Sequence, residues 1–239
     1  MGIEERKENR VRRKSVLVIA LFCASLFVTP PIAAQADSPK PKSTSANNKK
    51  SEKIRCKFTK AVAQTPVRVA PPNSILKRFP KTITLETNCG DIVIQTLSRQ
   101  APVTVTMMAV LARNNYFDNT LCHRLTTEGI FVLQCGDPTA TGTGGPDFRF
   151  RDENLPVAGE NNYPEGTVAM ANSGPGTNGS QFFLVYKNTT LGPNYSIWGR
   201  IVAGVEIVKF IAEGGVKNGG VDGAPLRMIS INEARTSNA

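Results

Sequence analysis

The 239-residue chain has one histidine, His123, and one tryptophan, Trp198. A lone imidazole leaves no second histidine for a metal site. It also rules out a credible Ser-His-Asp set, because His123 is bracketed by Cys122 and Arg124. The five cysteines, at positions 23, 56, 89, 122 and 135, include no CxxC spacing, which argues against zinc. The glycine-rich run Thr141-Gly142-Thr143-Gly144-Gly145 lacks a Gly-Lys-Ser/Thr ending and has no clear helix after it. It reads as a flexible rim loop rather than a phosphate cradle. Acidic residues are few, 19 Asp+Glu against 29 Lys+Arg, for a formal net charge of +10. That excess sits in the first 60 residues, where 14 basic side chains face 5 acidic ones; the remainder is nearly neutral. Nucleic-acid binding needs a basic stripe on the folded part, so the charge does not support it. An anionic membrane or cell surface accounts better for a basic tail.

Residues 1–36 read as a targeting segment. Six basic residues between Arg6 and Lys14 precede an apolar run from Val16 to Val28, followed by Pro30-Pro31 and Ala34-Gln35-Ala36. A basic head, a short apolar centre and an A-x-A ending describe a secretory signal cleaved after Ala36. The run is shorter than the roughly 17–25 residues of a spanning helix. The alternative is an uncleaved membrane anchor with its N-terminus inside. Residues 37–53, rich in Lys, Ser, Pro and Asn, read as a disordered linker. Residues 54–79, broken by Pro66, Pro71 and Pro72, read as a partly ordered lead-in to a domain over 80–235.

From Lys81 the apolar period is two. Ile83 and Leu85, the turn Asn88-Cys89-Gly90-Asp91, then Ile92 and Ile94 predict a hairpin. Pro102 opens a predicted helix to Arg113. Residues 121–125 and 131–134 form a second predicted hairpin. Further strands are predicted around 197–201 and 226–232, with a helix around 205–213. Many strands with two helices suggest a closed antiparallel barrel with helices over its openings.

The stretch Val168 to Val185 reads as strand, loop, strand. Its nine-residue loop, Asn172 to Ser180, is long for a hairpin and invites a functional reading. Asn172 and Gln181 flank the loop with amides that donate and accept at once, suited to reading a peptide backbone. Arg124, on a short strand facing Phe131-Val132-Leu133-Gln134, can direct rigid donors into an apolar pocket. Asp152-Glu153 reads as a surface edge, since adjacent strand residues face opposite ways.

Six motifs occur in order: Cys122-His123-Arg124-Leu125, Phe131 to Asp137, Gly142 to Gly145, Asp152-Glu153-Asn154, Met170-Ala171-Asn172 and Asn178 to Phe183. Together they resemble the cyclophilin-type peptidyl-prolyl cis-trans isomerases over about Lys81 to Ala234. The resemblance implies an eight-stranded closed antiparallel barrel capped by two helices, acting without cofactor or metal on proline-containing polypeptides, as a monomer. It implies that Arg124 is the catalytic arginine. Phe131, Phe183 and Leu191 would form the proline pocket, with Tyr195 beside it. Gln134, Ala171, Asn172 and Gln181 would hold the peptide backbone. The sequence departs from the family pattern in three places. The Arg124–Gln134 turn is two residues longer than in well-known members. Thr190 stands where many members have tryptophan, which implies weak cyclosporin binding. Tyr195 stands where many have histidine. Trp198 is expected in the core. An exported protein favours disulfides. The four cysteines left after signal removal admit three pairings, of which Cys122–Cys135, on opposing hairpin arms, is preferred.

Overall fold

The computed structural model describes residues 53–237. The predicted signal or anchor and nearly all of the predicted linker lie outside the described residues. Among the described residues no helix is long and apolar enough to cross a membrane.

Ten antiparallel strands form one curled sheet: β1 (Thr82–Thr87), β2 (Gly90–Thr96), β3 (Thr120–Leu121), β4 (Arg124–Thr126), β5 (Val132–Cys135), β6 (Thr167–Met170), β7 (Phe182–Val185), β8 (Ile197–Ala203), β9 (Asp222–Gly223) and β10 (Ser230–Thr236). Their order is β3-β10-β1-β2-β8-β6-β7-β5-β4-β9. Among the described residues there are two α-helices, α1 (Pro102–Arg113) and α2 (Val205–Glu213), and one 3-10 turn at Lys217–Gly219. The eight-stranded closed barrel expected from the sequence is therefore corrected to a ten-stranded sheet of linear order. Two features add strands. The segment 120–126 is split into β3, which pairs with β10, and β4, which pairs with β5. The two-residue β9, which the sequence pattern did not announce, adds itself to β4.

Both helices occupy their predicted spans. Proline stands at the first position of α1, where its missing N–H costs nothing. Ala101 supplies no side-chain cap. The Glu153 carboxylate takes that role from elsewhere in the chain, accepting Val103 N–H (3.2 Å), Thr104 N–H (2.8 Å) and the Thr104 hydroxyl (3.1 Å). A negative charge at a helix N-terminus is doubly favourable, through the orphan donors and the helix dipole. Glu153 is thus a helix cap rather than a surface edge. α2 starts after Gly204 at φ +90°, where a Cβ would lie 2.3 Å from the Asp91 carbonyl oxygen. Only glycine lets this helix begin so close to β2.

Strand alternation divides the apolar residues between two clusters. Leu133, Phe182, Leu184 and Trp198 join the main core with Ile83, Leu85, Ile92, Ile94, Met108 and Leu111. Val132, Phe183 and Val185, one residue out of phase, join Tyr163 and Ala169 in a second, smaller cluster. Trp198 is buried as expected, with its ring edge-on to Phe182 at 5.9 Å.

Residues 54–79 contain no helix or strand, yet they are fastened to the sheet. Cys56 is disulfide-bonded to Cys89. Lys57 and Asn88 exchange hydrogen bonds, and Thr59 meets Ser230 through their hydroxyls at 2.7 Å. Gln64 N–H donates to the Pro138 carbonyl, and Leu76 N–H donates to Thr106 Oγ1. The second disulfide joins Cys122 to Cys135, the pairing preferred from the hairpin.

Candidate active site

The smaller cluster floors a cleft of about 160 Å³ lined by Arg124, Ile130, Val132, Gln134, Ala171, Asn172, Phe183, Leu191 and Tyr195. Seven of these were expected from the sequence; Ile130 and Val132 were not. Phe131, assigned to the proline pocket by resemblance, lies outside this cleft. Gln134, Val132 and Ile130 follow the two-residue period on one side of the chain, so Phe131 falls on the other. Its ring packs edge-on to Tyr186 at 6.0 Å, beneath the Lys187 ammonium. Ile130 stands at the cleft instead.

Arg124 and Gln134 are directly opposed across β4 and β5. Arg124 Nη1 donates to Gln134 Oε1 at 3.1 Å, and Gln134 Nε2 donates to Gln181 Oε1 at 2.8 Å. Gln181 Nε2 donates in turn to the carbonyls of Gly142 (3.0 Å) and Gly144 (2.8 Å). This directional chain fixes both glutamine amides. On its other side the Arg124 guanidinium is gripped by Asp222, with Nε and Nη2 each 2.7 Å from a carboxylate oxygen. That hydrogen bond raises the Arg124 pKa and lowers that of Asp222, each outweighing partial desolvation. The guanidinium is permanently cationic across the working pH range.

Gln181 does not line the cleft itself. It lines a second hollow of about 170 Å³, walled by Gly142–Gly145, Arg149 and the 171–181 loop. Gln134, Ala171 and Asn172 border both spaces, so the two form one groove past the arginine. Asn172 uses its side chain internally, donating to the Asn194 carbonyl (2.8 Å) and accepting Gly174 N–H (3.2 Å). Its own N–H and C=O take no partner among the described residues, which leaves main chain open to an extended peptide.

Two residues that the sequence did not point to set the cleft's far wall. The Asn162 side chain brackets Leu191, accepting its N–H (3.0 Å) and donating to its carbonyl (2.7 Å). The Tyr163 hydroxyl does the same for Tyr195, donating to its carbonyl (3.1 Å) and accepting its N–H (3.0 Å). Burial pushes the Tyr163 hydroxyl up to about 12, so it stays protonated and able to donate. The Tyr195 ring then stands edge-on to Phe183 at 5.6 Å. No local pattern marks this Asn-Tyr pair, because its partners lie 29 and 32 residues away.

The glycine-rich run is not the loose rim expected. It is wound around Asp137, whose side chain is wholly buried. One carboxylate oxygen accepts Thr139 N–H (2.8 Å) and the Thr139 hydroxyl (2.7 Å). The other accepts Gly142 N–H (2.7 Å) and Gly144 N–H (3.0 Å). Asp152 holds the neighbouring loop, accepting Gly176 N–H and the Asn178 amide, both at 2.8 Å. It too is more than a surface edge. His123 does not line the cleft; its ring nitrogens are buried without partners, and desolvation lowers its pKa. Among the described residues no cluster of His, Cys, Asp or Glu could hold a metal ion.

Comparison with known proteins identifies the family. The family model described as cyclophilin type peptidyl-prolyl cis-trans isomerase/CLD matches residues 82–236. The chain is 40% identical over 200 residues to the "Probable peptidyl-prolyl cis-trans isomerase B" of Mycobacterium leprae, covering 76% of this chain and 66% of that protein. It is 42% identical over 165 residues to the protein of the same name from Mycobacterium tuberculosis, covering 63% and 52%. It therefore spans about half to two thirds of the length of these relatives. A crystal structure of a Cryptosporidium parvum cyclophilin type peptidyl-prolyl cis-trans isomerase aligns with a TM-score of 0.58 at 28% identity, covering 68% of this chain and 99% of that one. The same parasite enzyme determined in the presence of the dipeptide Ala-Pro aligns with a TM-score of 0.57. A match that runs from the start of β1 to the end of β10 takes in both the sheet and the arginine-bordered cleft, and on it this chain belongs to the cyclophilin type peptidyl-prolyl cis-trans isomerase family.

Proposed function

We propose that this protein accelerates cis–trans rotation of X-Pro peptide bonds in polypeptides. The observation that carries the reading is a fixed guanidinium at the rim of a cleft of about 160 Å³ whose floor is the smaller apolar cluster. Rotation about a peptide C–N bond crosses a barrier of about 18–20 kcal/mol set by resonance. For X-Pro it takes tens to hundreds of seconds, roughly, without help. No covalent bond need form or break. Holding the proline ring against Ile130, Val132, Phe183 and Leu191 leaves the flanking backbone to Asn172 and Gln134. A donor from Arg124 to the prolyl nitrogen draws its lone pair out of C–N resonance and favours the twisted state; a donor to the turning carbonyl would help only by gripping that oxygen in its twisted position. Such a donor speeds rotation only if it fits that state better than either planar one. A prolyl-peptide isomerisation assay on the wild type and on Arg124→Ala tests the reading. Peptide binding without acceleration by the wild type would make the domain a proline-binding module instead.

The setting we propose is extracytoplasmic, with residues 1–36 acting as a cleaved signal or as an anchor to the cell membrane. The substrates would then be exported chains with slow prolines, met by a monomeric enzyme. Peptide mass mapping of the mature N-terminus checks this; an intact, unmodified N-terminus in protein recovered from the cytoplasm would exclude export.

Cyclosporin binding should be weak. Thr190 is exposed and accepts Asn161 N–H at 2.9 Å, so this position offers neither an indole face nor its donor. Nanomolar inhibition in the isomerisation assay would contradict this.

A further inference from the structure

β9 brings to the site a carboxylate that lies 98 residues from Arg124 in the chain. Asp222 is opposite Thr126 in the β4–β9 pair. Thr126 and Arg124 are two apart on one strand and share a face, so Asp222 lies diagonally across from Arg124, within reach of a long side chain. Thr127 N–H donates to the Val221 carbonyl at 2.9 Å and anchors the loop at that point.

A guanidinium has five N–H donors: one on Nε and two on each terminal nitrogen. Asp222 takes the Nε donor and one on Nη2, and Gln134 takes one on Nη1. Two donors remain, one on each terminal nitrogen. A carboxylate fork and an amide on separate nitrogens determine the plane of the group as well as its place. Without the fork, the Gln134 hydrogen bond alone leaves the guanidinium free to swing about its side-chain torsions. The ion pair itself is worth little to stability, because its side chains are 38% and 51% exposed and solvent screens the charges. Its consequence is orientation.

We propose that Asp222 is a positioning residue for isomerisation, holding the Arg124 guanidinium so that its two remaining terminal donors face the twisting prolyl bond. The inference rests on the reading of Arg124 given above. Misplacing a reacting group slightly is costly even when binding survives. Asp222→Ala is expected to lower kcat about tenfold with little change in KM, since the apolar cleft that holds the ring is intact. Asp222→Glu, which keeps a carboxylate, should recover part of the loss. Exchange NMR on a saturating proline peptide separates turnover from affinity. The Arg124 Nε–H resonance is expected to be distinct and slowly exchanging in the wild type, and to join the exposed arginines in Asp222→Ala.

Placing Asp222→Ala on an Arg124→Ala background should add no further loss. Wild-type kcat in Asp222→Ala, with Arg124→Ala inactive, would overturn the positioning role and leave the isomerase reading standing. Wild-type turnover in both single variants would sink that reading as well. An equal loss in Asp222→Ala and Asp222→Glu, with displaced β9 amide resonances, would also overturn the proposal, because strand pairing would then be what matters.

Discussion

Arg124→Ala is expected to lower prolyl-isomerisation activity about 10²–10³-fold, the usual cost of removing one preorganised donor from a polar site. The fold should survive. The arginine side chain is 38% exposed, and its pairing with Asp222 contributes at most about 1 kcal/mol after screening. Peptide affinity should fall much less than turnover, because on the proposed reading the ring rests on the cleft's apolar floor and not on the guanidinium. Arg124→Lys should resemble alanine more than wild type. An ammonium cannot fork onto Asp222 while also reaching Gln134 and a substrate with a fixed plane. Isomerisation rates and peptide binding measured on the same preparations decide the matter. Wild-type turnover by Arg124→Ala would remove the basis of the proposed mechanism.

The second large effect belongs to Asp137. Its carboxylate is fully buried and anchors the 139–144 loop through two main-chain N–H groups from glycines and two donors from Thr139. Asp137→Ala strands three main-chain N–H donors, each costing about 1–3 kcal/mol if left unpaired. A loss of about 3 kcal/mol or more is expected, which for a domain of this size lowers Tm by roughly 6–12 °C. Thermal unfolding measures it, and a fall corresponding to less than about 1 kcal/mol would show that the loop does not depend on this carboxylate.

Activity should fall too. The Gly142 and Gly144 carbonyls orient Gln181, Gln181 orients Gln134, and Gln134 meets Arg124. The pH dependence has a definite sign. Burial alone would raise the Asp137 pKa, but the hydrogen bonds from Thr139, Gly144 and Gly142 bring it below the ordinary 3.8. Its stabilisation is complete above the unfolded value and is lost as pH falls through the lower folded one. Asp137→Ala should therefore flatten the acid limb of stability in that range. Gly144 fits the same picture: a Cβ there would lie 2.0 Å from the Asp137 carboxylate. The small residue at that position serves close approach rather than the looseness of a flexible rim.

Several sequence expectations were local, and these matched the structure closely. Pro102 and the apolar spacing after it marked α1, and the period of two in 83–94 marked the first hairpin. The strand–loop–strand reading of 168–185 is β6 paired antiparallel with β7. Arg124 facing the 131–134 arm followed from one hairpin, and the strand register sets it opposite Gln134. The final strand, Ser230–Thr236, begins about four residues beyond the apolar start at Leu226, because Leu226 and Met228 are exposed. No local pattern marks Glu153 and Asp152, because their partners, the start of α1 and the 176–178 loop, lie too far along the chain for any spacing rule to reach.

What the sequence alone determined was the class of fold and the charged residue to watch. Both depend on near-neighbour patterns: alternation along strands, proline at a helix start and ordered short motifs. What only the tertiary structure decided was the shape of the cleft and the aim of the arginine. Ile130 replaces Phe131 at the wall because strand phase, rather than residue type, selects which side chains face the groove. Asp222, Asn162 and Tyr163 act on residues brought beside them by sheet pairing and loop packing. A hydrogen bond needs atoms within about 3 Å and in line, and for residues 29 to 98 apart in sequence that condition is met only by the folded chain.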